Sequence, residues 1–386
     1  MERIRMEERP GWKRQAEELG FIFHTMYGET YWDETAAYRF SLKQIENHIE
    51  DPTAELHQMC LAVVARAVDD DEIMRRLAIP EAHWDFVRNS WRRQDPSLYG
   101  RFDLVYDGTG PAKMLEYNAD TPTSLYESAF YQWVWLDNNI QMNRLPSWAD
   151  QYNSLQDKLI GRLSAIFEAG DHLHFASCTG SDEDRATVKY LEDCAHQAGL
   201  VPHYVEVEQI GTDAAGRYAD ADSHVIDAIF KLYPWEQMLR DEYARHLASS
   251  TTKFVEPAWK AVLSNKAVLP LLWQMFPNHP NLLPAYFADD PGASNIGDTF
   301  VKKPLFSREG ANIEIVRGNS PLMKTDGEYG AEGHIVQAFS PLPQFDGNYT
   351  VIGSWIIGDE PAGMGIREDS SLITRDLSRF LPHMIL

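Results

Sequence analysis

Residues 101–118 read RFDLVYDGTGPAKMLEYN, and the fold is decided by how this stretch is read. RFDLVYD alternates in period two, DGTGP supplies turn chemistry, and AKMLEYN alternates again, which is the pattern of a β-hairpin. In a strand, residues i and i+2 share a face, so Arg101 projects beside Asp103 and Glu116 beside Asn118. A short turn sets the two pairs on adjacent strands. Two carboxylates and an amide offer only oxygen ligands, the set that Mg²⁺ prefers, and Mg²⁺ commonly joins carboxylates to substrate phosphates. Arg101 adds a donor fork suited to a phosphoryl oxygen. A solvated sheet face with a cross-strand ion pair alternates in the same way, so pattern alone leaves both readings open.

Immediately downstream, Asn118-Ala-Asp-Thr-Pro-Thr-Ser124 is small and polar around a proline. Such a loop is suited to present donors to an anion, or to cap the helix LYESAFYQWVWL through Thr123 or Ser124. Upstream, the first hundred residues read mainly as helix. Leu42, Ile45, Ile49, Leu56, Cys60, Val63 and Val64 recur at helical spacing, with an interruption expected at Asp51-Pro52. Residues 80–93 form another helical pattern, with Trp84, Val87 and Trp91 on one stripe. From Leu173 the order strand, helix, strand, strand (LHFAS, 183–199, HYVEVEQI, VIDAIF) predicts an α/β unit with a partly parallel sheet. After Phe254 the strand-like runs TFVKKP, ANIEIV, HIVQAF, YTVIGSWII and AGMGIRE predict α+β structure with antiparallel sheet.

The 386 residues carry 35 Lys plus Arg against 58 Asp plus Glu, a net charge of −23. That charge repels phosphate backbones and anionic lipid, so neither nucleic acid nor a membrane surface is expected as a partner. Cys60, Cys178 and Cys194 form no CxxC, which argues against a disulfide framework or thiolate zinc site. The opening MERIRMEERPGWKRQ lacks the apolar core of a signal peptide, and AVLPLLWQMF from Ala267 is far shorter than the roughly 20 residues that span a bilayer. A cytoplasmic location is expected. Trp84, Trp91, Trp133 and Trp135 lie on apolar helices and are read as core residues.

Two further clusters carry chemistry. In VKKPLFSREGANIEI, Lys303 ends a strand below a loop of Ser307, Arg308, Glu309 and Gly310, suited to clamp a phosphate or simply to face solvent. In GMGIRED, Arg367 ends an apolar strand, where a buried guanidinium needs an anionic partner. Asp182-Glu183-Asp184 opens a helix, as acids facing the positive dipole end or as a cation-binding patch. No GxxxxGK[ST], GxGxxG, HExxH or GxSxG motif occurs, so P-loop, Rossmann, zincin and serine-hydrolase chemistries lack support.

Taken in order, LYGRFDLVYDG, KMLEYNADTPTSLYE, FKLYPWE, EPAWKAVLSNKAVLPLLWQMFPNHPNLLPAY, VKKPLFSREGANIEI and GSWIIGDEPAGMGIREDSSLITRDLSRF resemble the glutathionylspermidine synthase family of ATP-grasp-like acid–amine ligases. The likeness covers nearly the whole chain and only the synthetase part, without the amidase domain fused to it in some members. It implies an α+β fold, a permuted ATP-grasp with a helical N-terminal region and a mixed α/β, pre-ATP-grasp-like subdomain. The expected organisation is one interwoven unit over 1–386: helical 1–100, metal-binding hairpin and polar loop 101–130, α/β substrate subdomain 165–255, and lid and nucleotide-binding strands 256–386.

On matching positions the resemblance implies that Asp103, Glu116 and Asn118 bind Mg²⁺ and that Arg101 contacts the transferred phosphoryl group. Lys266 and Lys303 would hold ATP phosphates, with Ser307, Arg308, Glu309 and Gly310 as a mobile lid. Gln337, Leu372 and Ile373 would lie at the adenine. Arg367 would stabilise the acyl phosphate or the tetrahedral oxyanion. Ser124, Asp182 and Glu183 would contact the substrates, a glutathione-like peptide acid and a polyamine-like amine. ATP would convert the carboxylate to an acyl phosphate that an amine attacks, leaving ADP and phosphate. The rival expectation is a non-catalytic nucleotide- or polyamine-binding protein that retains the fold.

Overall fold

The computed structural model of the chain describes residues 1–374 and 378–386; Arg375–Leu377, inside the last of the strings quoted above, lie outside the described residues. Its centre is a six-stranded sheet in the order Arg379–Leu381, Glu360–Asp369, Asn348–Ile357, Tyr99–Val105, Lys113–Asn118, with Gln344–Phe345 pairing off Asn348–Ile357. All these pairings are antiparallel, and the expected hairpin is its last two strands. Phe102, Leu104, Met114 and Tyr117 send one face of the hairpin into the largest core cluster, with Leu56, Cys60, Val63 and Val64 of the helix Asp51–Ala67.

That helix is not broken at Asp51-Pro52. The chain runs from Leu42–Ile45 through one wide turn, Glu46–Glu50, into Asp51–Ala67, so helical structure is continuous from 42 to 67. Pro52 occupies the first turn of the last segment, where its missing N–H costs least. Trp84 and Trp135 are buried as expected, but Trp133 is half exposed. Two residues along a helix are about 200° apart, so Trp133 and Trp135 cannot both face inward.

The α/β unit is a fully parallel sheet in the order Lys253–Val255, Ala228–Leu232, His172–Ser177, Val201–Glu206, with the helix Asp182–Gln197 joining its last two strands. A five-stranded antiparallel sheet follows, Ala285–Phe287, His334–Ala338, Thr299–Pro304, Glu314–Arg317 and Ser320–Lys324. The first forty residues differ from the helical expectation. Glu2–Arg5 and His383–Ile385 flank Ala36–Phe40 in a small sheet, so the first and last strands pair with the same central strand. Short strands at the ends of a sequence offer too few alternations to be read locally.

Glu256 joins the parallel sheet to the central one. Its carboxylate is fully buried, accepts from the backbone N–H of Leu98 at 3.0 Å and of Tyr99 at 2.9 Å, and pairs with Lys260 Nζ at 2.6 Å. Lys260 Nζ donates in turn to the Tyr99 carbonyl at 2.5 Å, at the start of the strand that carries Arg101 and Asp103. Removing one partner of such a pair strands the other charge in the interior, at a cost of about 3–5 kcal/mol. Glu256→Ala is therefore expected to lower the urea unfolding free energy by about that amount, a loss that a surface control such as Glu18→Ala does not reproduce.

Candidate active site

The register of the hairpin sets the site. Arg101 lies opposite Asn118 and Asp103 opposite Glu116, and on the other side Asp103 faces Gly353 and Arg101 faces Trp355. Asp103 is 5% exposed and Arg101 7%, so this face is not a solvated one: the charges point into a cavity of about 690 Å³. Arg101 Nε donates to Asp103 Oδ1 at 2.9 Å, and Arg101 Nη1 donates to the Thr123 carbonyl at 2.7 Å. Arg367, two strands away in the same sheet, donates to Asp103 Oδ2 at 2.7 Å. The Asp103 carboxylate is thus held between two guanidiniums.

Gly353 makes that arrangement possible. A Cβ there would stand 2.7 Å from Arg101 Cδ, so only a glycine lets the arginine lie across the neighbouring strand. This constraint belongs to strand pairing, and no local motif announces it.

The five-stranded sheet closes over the hairpin from the opposite side. Lys303 Nζ donates to the Leu115 carbonyl at 2.9 Å, and Gln337 Nε2 to the Met114 carbonyl at 3.2 Å. Lys266 Nζ lies 3.3 Å from Glu116 Oε2 and donates to the Ser307 carbonyl at 2.7 Å. Burial alone would raise the Glu116 carboxyl, but Lys266 and Lys303 outweigh it and hold it down at about 2. Burial pushes the Lys303 ammonium down to about 8 against the pull of Glu116, with Lys266 acting in the same direction as burial.

The loop 307–310 lies against the polar loop of residues 118–124. Arg308 donates to Thr121 Oγ1 and to Glu236 Oε1, each at 2.7 Å. Gly310 has φ +71°, and a Cβ there would stand 2.5 Å from the Thr374 carbonyl oxygen and 2.8 Å from Ile373 Cγ2. The polar loop is itself anchored through Asp120, whose carboxylate meets buried Lys231 Nζ at 2.9 Å and the Trp235 N–H at 2.6 Å. Ser124, in the left-handed region at φ 66°, turns its hydroxyl to Glu183 Oε1 at 3.5 Å. Asp182 and Glu183 open their helix behind the cap Ser181, and they also line the cavity.

All the residues singled out from the sequence line this one cavity: Arg101, Asp103, Glu116, Asn118, Ser124, Asp182, Glu183, Lys266, Lys303, Ser307 to Gly310, Gln337, Arg367, Leu372 and Ile373. Sequence reading missed Tyr31, Thr121, Glu236 and Gly353, and the buried pair Asp120–Lys231. Lys231 and Glu236 both stand in FKLYPWE, but nothing local says what they meet.

The donor set fits a hard cation. Asp103 and Glu116 oppose each other in register with Asn118 beside them, so two carboxylates and one amide oxygen are at hand. Among the described residues no group of three His, Cys, Asp or Glu side chains is placed to hold a metal, so such a site would rest on two carboxylates, an amide and oxygens from a bound substrate. His172 and His174 are not part of it; His172 Nδ1 meets His203 Nε2 at 2.7 Å on the parallel sheet. The three cysteines are free.

The family described as glutathionylspermidine synthase preATP-grasp matches residues 3–386. The chain belongs to the glutathionylspermidine synthase family. With its family it is an ATP-dependent carbon–nitrogen ligase. A Haemophilus influenzae protein, whose name places it provisionally among the acid–amine ligases, is 40% identical over 388 residues, covering 97% of both chains. The bifunctional glutathionylspermidine synthetase/amidase of Escherichia coli is 25% identical over 403 residues; the match covers 97% of this chain and 63% of that protein. A ligand-free glutathione synthetase-like effector from Globodera pallida shares the fold at a TM-score of 0.53 and 11% identity, over 98% of each chain. Among the described residues no helix is long and apolar enough to cross a membrane.

In this glutathionylspermidine synthase relative, Gly353→Ala is expected to push Arg101 off Asp103. Phosphate release from ATP should fall about 10²-fold, the size of effect that follows a reacting group displaced by about 1 Å. Near-ultraviolet circular dichroism should stay close to that of the unaltered protein.

Proposed function

We propose that the protein joins a peptide carboxylate to an amine, through an acyl phosphate formed from ATP in the presence of Mg²⁺. The observation that carries this reading is the convergence, in one cavity, of Asp103 facing Glu116, the guanidiniums of Arg101 and Arg367 on Asp103, and the ammoniums of Lys266 and Lys303 beside Glu116. A carboxylate is a poor electrophile, and its activation by phosphoryl transfer needs positioning and charge neutralisation rather than a protein nucleophile. Among the described residues the cavity is lined by five cations, these four and Arg308, and by no histidine that could serve a nucleophile.

Asp103, Glu116 and Asn118 would hold Mg²⁺, which when bound neutralises charge on the phosphate oxygens. Lys266 and Lys303 would take up the charge of the ATP phosphates, and the loop Ser307–Gly310 would cover them and exclude water. Gln337, Leu372 and Ile373 form the wall assigned to the adenine. Arg101 would orient the transferred phosphoryl group, and Arg367 would receive the oxyanion as the amine adds. Ser124, Asp182 and Glu183 line the same cavity, and there carboxylates suit a cationic amine and a hydroxyl suits a peptide. A glutathione-like acid and a polyamine-like amine are the substrates this arrangement supports, and the protein would work in the cytoplasm.

The test is phosphate release from ATP and Mg²⁺ with glutathione and a panel of polyamines. Release should require acid and amine together, and the product mass should equal their sum less water. Asp103→Ala should lower turnover by at least about 10²-fold, the scale on which lost transition-state charge stabilisation is measured. Release without an amine, or full activity in Asp103→Ala, would refute the reading.

A further inference from the structure

A primary amine reaches the protein as an ammonium and cannot attack carbon until it has lost a proton. The residues placed above on the phosphoryl side are Mg²⁺ ligands and cations, and none of them accepts that proton. Asp182, Glu183 and Asp184 line the cavity on their own helix, and one further acid, Glu127, is joined to the cavity through Tyr31. Glu127 lies in the first turns of the helical segment after the polar loop, in a wide turn spanning Glu127–Tyr131. Wide turns of this kind occur often at functional positions. Its side chain is fully buried, Oε1 accepts from Tyr31 Oη at 2.5 Å, and Oε2 is buried with no hydrogen-bond partner. Tyr31 in turn lines the cavity alongside Ser124 and Glu183.

We propose that Tyr31 and Glu127 form the proton exit for the attacking amine. The inference rests on the acid–amine ligase reading above. In the step, the ammonium gives a proton to Tyr31 Oη as the Tyr31 proton passes to Glu127 Oε1, so the carboxylate becomes a neutral acid. The freed nitrogen pair forms the C–N bond, and the acyl C–O bond breaks with its electrons going to phosphate. The second nitrogen proton leaves with that phosphate. Glu127 acts through Tyr31 and is a positioning and proton-accepting residue rather than one that touches substrate.

The surroundings suit this task. Burial pushes the Glu127 carboxyl up to about 7, although the Tyr31 hydroxyl and the charges of Arg101 and Arg367 pull it down. Those arginines place Glu127 within electrostatic reach of the reacting centre. Tyr126 and Tyr31 are the other titratable groups facing it, and Glu183 acts on Tyr31 from the substrate side. An acceptor must be ionised, so activity limited by this step rises as pH rises through about 7 and is lost below it. A structural hydrogen bond between Tyr31 and Glu127 would put no such limb on the profile.

The experiment compares two nucleophiles in the full chain, with glutathione, ATP and Mg²⁺ held constant. Spermidine arrives as an ammonium and needs a base; hydroxylamine is uncharged near neutral pH and does not. Glu127→Gln and Tyr31→Phe should each lower amide formation with spermidine about 10²-fold, the lower end of the usual general-base contribution. They should leave hydroxamate formation within about twofold, an allowance small beside that effect. The low-pH limb with spermidine should disappear in Glu127→Gln. Isotope-edited infrared spectroscopy should show a carboxyl titrating near pH 7 in the unaltered protein and not in Glu127→Gln. Equal loss with both nucleophiles, equal retention with both, or absence of that titration overturns the inference. Silence of the unaltered protein with both nucleophiles counts against the ligase reading itself, and the inference falls with it.

Discussion

The constraint on which the site depends is the cross-strand register that sets Asp103 opposite Glu116 inside the protein. Two carboxylates facing each other with so little solvent would repel, and burial adds to the cost of ionising both. The fold answers with cations from three separate places. Arg101 comes from the same strand as Asp103, Arg367 from two strands along, and Lys266 and Lys303 from the segment and sheet that close over the hairpin. Each charge is tolerable only because the others are there.

The scaffold holds that network in place with pairs that do no chemistry. Glu256 and Lys260 join the parallel sheet to the first residues of the Tyr99–Val105 strand, and Asp120 with Lys231 holds the polar loop against the same sheet. The cavity is therefore lined from four directions: the central sheet, the five-stranded sheet, the parallel sheet and the Thr25–Thr30 hairpin near the N-terminus. The arm of Arg308 connects the loop 307–310 to the polar loop through Thr121 and Glu236.

Much of this was legible along the chain. The hairpin alternation of 101–118, the strand ending at Lys303 and the apolar strand bearing Arg367 are local patterns of period two, and the structure places them as read. The small terminal strands were not legible, because Ala36–Phe40 acquires its meaning by pairing with Glu2–Arg5 on one side and with residues 383–385 on the other. Trp133 illustrates a different limit. Apolar composition marked it for the core, and helix geometry turned it outward beside Trp135.

By itself the sequence determined the residue types that the chemistry needs, their order, and the strand faces on which Arg101, Asp103, Glu116 and Asn118 project. Those are consequences of backbone periodicity, which acts over a few residues. Only the tertiary structure decided that the face is enclosed, that Asp103 sits between two arginines, that Gly353 leaves room for one of them, and that Tyr31 meets Glu127 across 96 positions. Burial and charge pairing depend on what else fills the surrounding space, and distant segments fill it only once the chain has folded.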